Sequence, residues 1–292
     1  MKEIHPSDTP EISIIIGTLN RPQALYNLIG QLDTIAEPIR IEVIIFDQSD
    51  EAVYIKNKER LLSFTFCRVI RFSPPHTCKY LNRGWNEAKS PIVLYLDDDV
   101  KITSTTIPSH LNAYRNPSTM GVAGRVINKE DPIDSHIKEV GKIKYKGAVI
   151  KKDFFSEESG TVDFPYGCNM SFRKSALADI GGFDEKLAPP IYSYNEVDLG
   201  YRISERWPKS LVFKPSALVY HLQSPSGGTR SYRAKEIKNS SFFNYGYFIG
   251  KNFSYWENVI FLLRRLPYQF VKEREGIAPI VRGFIKGKIN RS

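Results

Sequence analysis

Cysteine is scarce in this chain. Three thiols in 292 residues, Cys67, Cys78 and Cys168, are an odd number with no C-x-x-C spacing, which argues against a disulfide framework and for a reducing compartment. Long apolar runs are missing as well. Nothing approaches about 18 consecutive apolar residues, and Met1 to Glu11 contains no apolar h-region, so neither a spanning helix nor a signal peptide is expected. The expectation is a cytoplasmic chain, at most peripheral on the cytoplasmic face of a membrane. Net charge is nearly absent over most of the length. Residues 1–230 carry only +1, whereas 231–292 hold twelve Lys or Arg against four Glu, so +8 of the total +9 belongs to the tail. Tyr, Phe and Trp interleave that basic stretch, but no recognised nucleic-acid motif accompanies it, and a nucleic-acid partner is not expected.

What the chain does have is a hydrophobic fraction of 41%, enough for one large α/β domain or a domain with an appendage. Its organising stretch is residues 90–102, S-P-I-V-L-Y-L-D-D-D-V-K-I. Ile92 to Leu96 is a short apolar run bounded by Pro91 and three acids, which predicts a buried strand of a mainly parallel sheet. Asp97, Asp98 and Asp99 fall at its carboxyl end, where open α/β sheets hold their ligands. Three adjacent carboxylates repel one another unless a cation sits among them. In extended backbone Asp97 and Asp99 point to one side and Asp98 to the other, so the pair offers two oxygens to one ion. Mg2+ or Mn2+ is the natural occupant, with substrate phosphates filling its remaining positions; a solvated acidic turn is the alternative.

The rest of the chain supplies a frame for that strand. Ile12, Ile14, Ile15 and Ile16 predict a first buried strand up to Thr18. Gly17-Thr18-Leu19-Asn20-Arg21-Pro22 follows, with Pro22 suited to the first turn of a helix and Leu25, Leu28, Ile29 and Leu32 at helical spacing beyond it. Ile41 to Phe46 predicts a second strand, which again ends in polar groups, Asp47-Gln48-Ser49-Asp50. Phe64 to Phe72 predicts a third strand and Tyr80 to Ala88 a helix. This alternation argues for a doubly wound parallel sheet. Further on, Met120 to Ile127 predicts a strand in which Gly124 lets another backbone approach. Residues 128–162 read as loops with one or two hairpin strands, and Arg173 to Ile180 as a short helix. Glu196 and Asp198 fall in the first turn of another helix, and Ser210 to Leu222 predicts a strand ending at His221.

The ordered set I-S-I-I-I-G-T-L-N-R-P, I-E-V-I-I-F-D-Q-S-D, N-R-G-W-N-E-A, I-V-L-Y-L-D-D-D-V, G-C-N-M-S-F-R, G-G-F-D-E and N-E-V-D-L-G-Y-R resembles glycosyltransferase family 2 over residues 11–223. The resemblance implies a GT-A fold of α/β class with a Rossmann-like, mainly parallel sheet. Residues 1–230 would form the catalytic domain, with a nucleotide-binding half at about 11–100 and an acceptor half at 101–230, and 231–292 a basic helical extension. It implies an inverting hexosyl- or deoxyhexosyltransferase that uses a nucleotide-diphosphate sugar, Mn2+ or Mg2+, and a glycan or lipid-linked acceptor in surface polysaccharide biosynthesis. The residue roles it implies are nucleotide binding by Thr18, Asn20, Arg21, Asp47, Asp97 and Asp98, and metal ligation by Asp97, Asp99 and His221. Arg230, closing the small-residue loop that begins at Ser224, would pair with diphosphate, and Glu196 would be the general base on the acceptor hydroxyl. The family's usual E-D-x-D is Asn195-Glu196-Val197-Asp198 here, which leaves Asp198 as the alternative base; both acids also suit simple helix capping. Leu81 stands where relatives often carry Arg, with Lys79 or Arg83 as substitutes. Cys168 lies near the implied donor and acceptor, but an inverting displacement needs no covalent intermediate, so a small buried residue is the expected role.

Two rivals come from other classes. A sugar nucleotidyltransferase shares a Rossmann-like half and a carboxylate-bound metal, but normally needs a Gly-rich basic loop after the first strand, which Gly17-Thr18-Leu19-Asn20 is not. A nucleic-acid-binding protein rests on the basic tail alone. That tail has a pattern of its own: Trp256, Val259, Ile260 and Leu263 recur ahead of Arg264 and Arg265, Pro267 follows as a separator, and Ile277, Ile280, Val281, Phe284, Ile285 and Ile289 recur with Arg282, Lys286 and Arg291 around them. With its charge, this predicts two amphipathic helices lying on an anionic membrane surface without crossing it. Packing on the catalytic domain, or a homodimer interface, is the competing outcome.

Overall fold

The computed structural model describes residues 9–35, 38–132, 137–272 and 274–291. The first half alternates strictly: β1 (Ile12–Thr18), α1 (Pro22–Ile35), β2 (Ile41–Asp47), α2 (Glu51–Leu61), β3 (Cys67–Arg71), α3 (Thr77–Glu87) and β4 (Ile92–Asp97). There follow β5 (Val100–Ile102), α4 (Thr106–Ala113), β6 (Gly121–Asn128), a hairpin of β7 (Lys142–Lys144) and β8 (Val149–Lys151), β9 (Gly160–Thr161), β10 (Asn169–Arg173) and α5 (Lys174–Asp179). The chain continues with α6 (Asn195–Arg206), β11 (Leu211–His221) and three helices, α7 (Ala234–Asn252), α8 (Tyr255–Lys272) and α9 (Ile277–Ile289).

One sheet in the order β3-β2-β1-β4-β10-β6-β11-β5, with β9 beside β11, runs through the molecule. The strands β3, β2, β1 and β4 are mutually parallel, as are β6 and β11, while β10 runs antiparallel between β4 and β6. Parallel strands buried on both faces need β-branched and aliphatic residues throughout, and Ile12, Ile14, Ile16, Val43, Ile44 and Leu94 are wholly buried. Each such side chain contributes about 1.5–3 kcal/mol. From β1 the chain winds to β2 and β3 on one side, and β4 lies on the other, so the order reverses between β1 and β4. That reversal opens a crevice at the strands' carboxyl ends.

The strand β10 was not foreseen, because Asn169 and Ser171 break its apolar pattern. Both are fully buried and both are satisfied by His110 of α4, whose Nε2 lies 2.9 Å from Asn169 Oδ1 and whose Nδ1 lies 2.8 Å from Ser171 Oγ. Asn169 also donates to Ala217 O, at 2.8 Å, where β11 shifts register against β6. Gly124 makes room for it: a Cβ there would sit 2.1 Å from Asn169 Nδ2.

The tail differs more from expectation. Residues 234–252 form α7, which the sequence pattern left unassigned, and α8 continues through position 267, so Pro267 does not separate the two helices; the break comes after Lys272. The helices α7 and α9 run parallel along G-x-x-x-G faces, Gly246 and Gly250 on one and Gly283 and Gly287 on the other. A Cβ at any of the four would fall 1.9–2.3 Å from a carbonyl oxygen of the partner helix. The apolar residues of α9 are split by this packing. Ile280 is buried and Ile277 and Phe284 half-buried, whereas Val281, Ile285 and Ile289 stay exposed.

Candidate active site

A cavity of about 490 Å³ occupies the crevice between β1 and β4 and extends to the first turn of α6. Gly17 and Asp97 pair across the two strands at its floor. Asp97 ends β4, and Asp98 and Asp99 form the turn into β5, so it is the turn and not strand alternation that sets their directions. Asp98 points inward, 3% exposed, accepting from Thr18 Oγ1 at 2.7 Å and from Arg21 at 2.9 Å. Arg21 also lies 3.0 Å from Asp99 Oδ2. Burial opposes the charge on Arg21, but Asp98 and Asp99 outweigh it and its pKa is raised. Burial pushes Asp98 up to about 7 against the pull of Arg21.

Asp97 and Asp99 converge instead on His221 at the end of β11. One ligand-type atom from each of the three lies within 4.8 Å of the others. His221 Nδ1 is 3.0 Å from Asn128 Oδ1, an acceptor. The proton therefore belongs on Nδ1, and Nε2 faces Asp99 Oδ1 at 3.4 Å and Asp97 Oδ2 at 3.9 Å. Asp99 Oδ2 is occupied by the Ser224 N–H at 2.9 Å as well as by Arg21, while its Oδ1 is buried with no hydrogen-bond partner among the described residues. Burial works against ionisation of Asp99, yet His221, Arg21 and Ser224 hold its pKa down at about 2. Burial pulls His221 down, but Asp99 and Asp97 win and raise it. Asp97 is pushed up to about 6 by desolvation, with His221 opposing and Asp99 adding. An orphaned anionic oxygen, a second carboxylate and an imidazole with its free nitrogen turned inward form a donor set that fits a hard-to-borderline divalent ion such as Mn2+.

Across the cavity, α6 presents Glu196 from its first turn. Asp198, two residues on, faces the other way and is 1% exposed. It accepts from Arg202 Nε at 2.9 Å, Lys251 Nζ at 3.0 Å and Asn252 Nδ2 at 2.8 Å. The segment before α6 lines the cavity through Pro190, Ile191, Tyr192 and Ser193, and α6 itself through Asn195 as well as Glu196. It is braced from behind by α7. Asn244 exchanges two hydrogen bonds with the backbone of Ala188, at 2.6 and 3.0 Å, and Tyr194 stacks on Tyr245 and Phe248 with ring centroids 5.3 and 6.2 Å away. Lys251 closes the arrangement with a second contact to Asp184, at 2.6 Å. The rings of Tyr192 and His76 stack at 4.2 Å, and Ser193 Oγ is buried without a hydrogen-bond partner among the described residues.

The residues expected to meet nucleotide separate into two groups. Thr18, Arg21, Asp97 and Asp98 line the cavity, as does Arg230 in the short turn Gly228–Ser231. Asn20 and Asp47 do not. Asp47 is fully buried, accepting from the Ser49 N–H at 2.9 Å and from Asn57 of α2 at 2.7 Å, and Asn20 exchanges hydrogen bonds with Asp50. In their place Gln48 and His76 reach the wall, joined by the His76 N–H donating to Gln48 Oε1 at 2.8 Å. Gln48 lay inside the D-Q-S-D motif and could have been found there; His76, Tyr192, Ser193 and Asn128 carry no local signal. Leu81 lines the cavity, and neither Lys79 nor Arg83 does. Cys168 also lines it, 3% exposed, with its thiol pushed far up by burial and by Asp97 and Asp99, so it is no nucleophile.

The profile of Glycosyl transferase family 2 matches residues 13–181. The pre-mycofactocin glycosyltransferase of Mycobacterium tuberculosis is 28% identical over 148 residues, 48% of this chain and 28% of that protein, so the chain spans little more than a quarter of that relative. Two solved structures share the fold. The mannosyltransferase PcManGT from Pyrobaculum calidifontis, in complex with GDP-Man and Mn2+, superposes with a TM-score of 0.59 at 14% identity, over 97% of this chain and 76% of that one. S. aureus TarS in complex with UDP-GlcNAc does so with a TM-score of 0.61 at 14% identity, over 91% and 74%.

Proposed function

The chain belongs to glycosyltransferase family 2, and on that premise we propose that it is a metal-dependent inverting transferase, moving a hexosyl or deoxyhexosyl group from a nucleotide-diphosphate sugar to a hydroxyl of a glycan or lipid-linked acceptor in surface polysaccharide assembly. The observation that carries this reading is the pairing of two features across one cavity: the Asp97, Asp99 and His221 triad with its orphaned Asp99 Oδ1, and Glu196 opposite it.

In this reading Asp97, Asp99 and His221 hold Mn2+ or Mg2+, which when bound supplies positive charge for the diphosphate. Arg230 adds a guanidinium for the leaving diphosphate. Thr18 and Arg21 act through Asp98 and Asp99, fixing the acidic turn rather than touching the nucleotide. The nucleoside lies toward Gln48 and His76, and Asp47 and Asn20 shape that end of the site from behind. Glu196 accepts the proton of the acceptor hydroxyl as that oxygen attacks the anomeric carbon. Asp198 is a positioning residue in this scheme, because three donors already occupy its oxygens. A single displacement from the face opposite the leaving group inverts the anomer.

The test is a panel of UDP-, GDP- and dTDP-sugars with Mn2+, following release of nucleoside diphosphate and reading the product anomer by NMR. Release that depends on a divalent ion, with inversion, is expected. Retention of configuration, or formation of nucleotide sugar from a sugar 1-phosphate and a nucleoside triphosphate, would overturn the assignment in favour of a retaining transferase or a nucleotidyltransferase.

A further inference from the structure

We propose that the outer face of α8, together with the turn of the β7–β8 hairpin, docks on an anionic bilayer surface. The helix is apolar on two opposite sides. Its inner side buries Phe261 against Tyr245, with ring centroids 5.6 Å apart. Its outer side exposes Trp256 (79%), Ile260 (39%) and Leu263 (72%), at the spacing that aligns them along one stripe. A helix that faces only water on its outer side carries polar residues there. Across a groove of about 500 Å³ the hairpin turn presents Tyr145, half-exposed, with the Arg264 guanidinium lying 4.0 Å over its ring.

The chemistry of this face selects a bilayer. Trp and Tyr place an apolar body in the acyl boundary and a polar edge among headgroups, and a guanidinium at the rim of the apolar stripe sits at phosphate level. Unpaired acidic side chains on this face would repel an anionic bilayer, but the nearby acids are paired. Glu257 of α8 is paired with Lys146 at 2.6 Å, and Glu139 beside the hairpin is bound by Lys144 and Lys151. Around the groove Lys144, Lys146, Lys151 and Arg264 outnumber Glu139 and Glu257, so the attraction is for anionic rather than neutral lipid. No helix among the described residues is long and apolar enough to cross the membrane, and contact is therefore in plane. The outer residues of α9, Val281, Ile285 and Ile289, are exposed too, but that stripe has no aromatic residue and serves as the internal comparison.

Vesicle flotation of the full chain tests this. Protein should float with phosphatidylcholine–phosphatidylglycerol vesicles, and at least about tenfold less with phosphatidylcholine alone or at high salt. The double variant Trp256→Ser with Leu263→Ser should lose binding by a similar factor while its thermal unfolding is unchanged, since both side chains are exposed. Arg264→Glu should weaken binding, and Ile285→Ser with Ile289→Ser should keep it. Absence of binding to the anionic vesicles, or binding that survives the α8 substitutions, overturns the proposal. So does a wild-type dimer in sedimentation that the α8 substitutions dissociate, which would assign the face to a second copy of the chain.

Discussion

Lys251 Nζ lies 3.0 Å from Asp198 Oδ1, joining the last turn of α7 to the first turn of the helix that carries Glu196. Lys251 is 13% exposed and Asp198 1%, so neither charge is well solvated alone. Without Lys251, Asp198 keeps Arg202 and Asn252 and Asp184 keeps Tyr247, so the loss is that of charged hydrogen bonds, about 1–3 kcal/mol, and not of a fully uncompensated charge. Lys251→Met should therefore lower stability by that amount in urea unfolding, and transfer should fall more than donor binding does. Lys251→Arg should restore part of both. A Met variant as stable and active as wild type would mean that α7 does not brace α6.

Glu196→Gln should keep nucleotide and donor affinity and lose transfer by about 10²–10⁴-fold, the usual cost of removing a general base. Comparing donor affinity by calorimetry with turnover separates the two effects. If Asp198→Asn loses transfer with its stability intact while Glu196→Gln does not, the base is Asp198.

Asn128 accepts from His221 Nδ1 and is itself held by Asp131 at 3.0 Å. Asn128→Ala should weaken Mn2+ binding by about 10–100-fold, the usual effect of losing the partner that orients a ligating histidine. Asp99→Ala should abolish that binding, and chelation by EDTA should abolish turnover. Mn2+ titration by paramagnetic resonance reads the first two without any substrate.

Gly283 faces the carbonyl of Phe243 so closely that a Cβ would fall 1.9 Å from its oxygen. Backbone cannot yield as a side chain can, so Gly283→Ala should cost at least about 1–3 kcal/mol. Gly30→Ala is the control, since a Cβ there meets nothing within 4 Å; it should be neutral or slightly stabilising. Equal melting temperatures for the two variants would contradict the close packing.

His110 is fully buried, and desolvation pulls its pKa down to about 4 from an ordinary 6.5. Above pH 6.5 neither folded nor unfolded chain protonates it. Between 6.5 and 4 only the unfolded chain takes up the proton, so stability falls with falling pH by about 1.4 kcal/mol per unit and levels off below 4. Asp97 and Asp98, with raised values of about 6 and about 7, act in the opposite direction, so the signal lies in a difference. The stability advantage of wild type over His110→Gln should shrink by about 2–3 kcal/mol between pH 7 and pH 4.5. An unchanged advantage would show that His110 is not held neutral.

How much of this was legible in the sequence depends on whether the cause was local. β1, β2 and β4 were readable because a strand buried on both faces must be apolar throughout, whereas Asp98 and Asp99 lie in a turn and not in the extended backbone expected for them. β10 was hidden because its buried Asn169 and Ser171 are satisfied by His110, some 60 residues away in sequence. That Asp47 lies behind the cavity wall was not legible, because its partner Asn57 belongs to α2, whose apolar pattern is too weak to announce a helix. From Phe242 to Gly250 α7 carries aromatic and apolar residues on all sides, since it packs there on the hairpin, on α6 and on α9, while its first turns are polar and exposed, so the helix shows no amphipathic period. The stripe on α9 was visible, but periodicity cannot distinguish a side chain that meets another helix from one that meets solvent.

The brace behind the cavity also sets an order in time. The sheet is complete once His221 has been made, and with it the cluster of Asp97, Asp99 and His221, yet Asp198 and Ala188 still wait for partners at 244–252, which in turn key into Gly283 and Gly287. At about 5–20 residues per second, the roughly 66 residues from His221 to Gly287 take about 3–13 seconds to synthesise. On the proposed function, a nascent chain in that interval would hold a nucleotide without an aligned base opposite it. A product of premature termination between α6 and α9 would remain in that condition, occupying donor and metal while transferring nothing, and ribosome-bound chains arrested at successive lengths should gain transfer activity only after residue 287 has emerged.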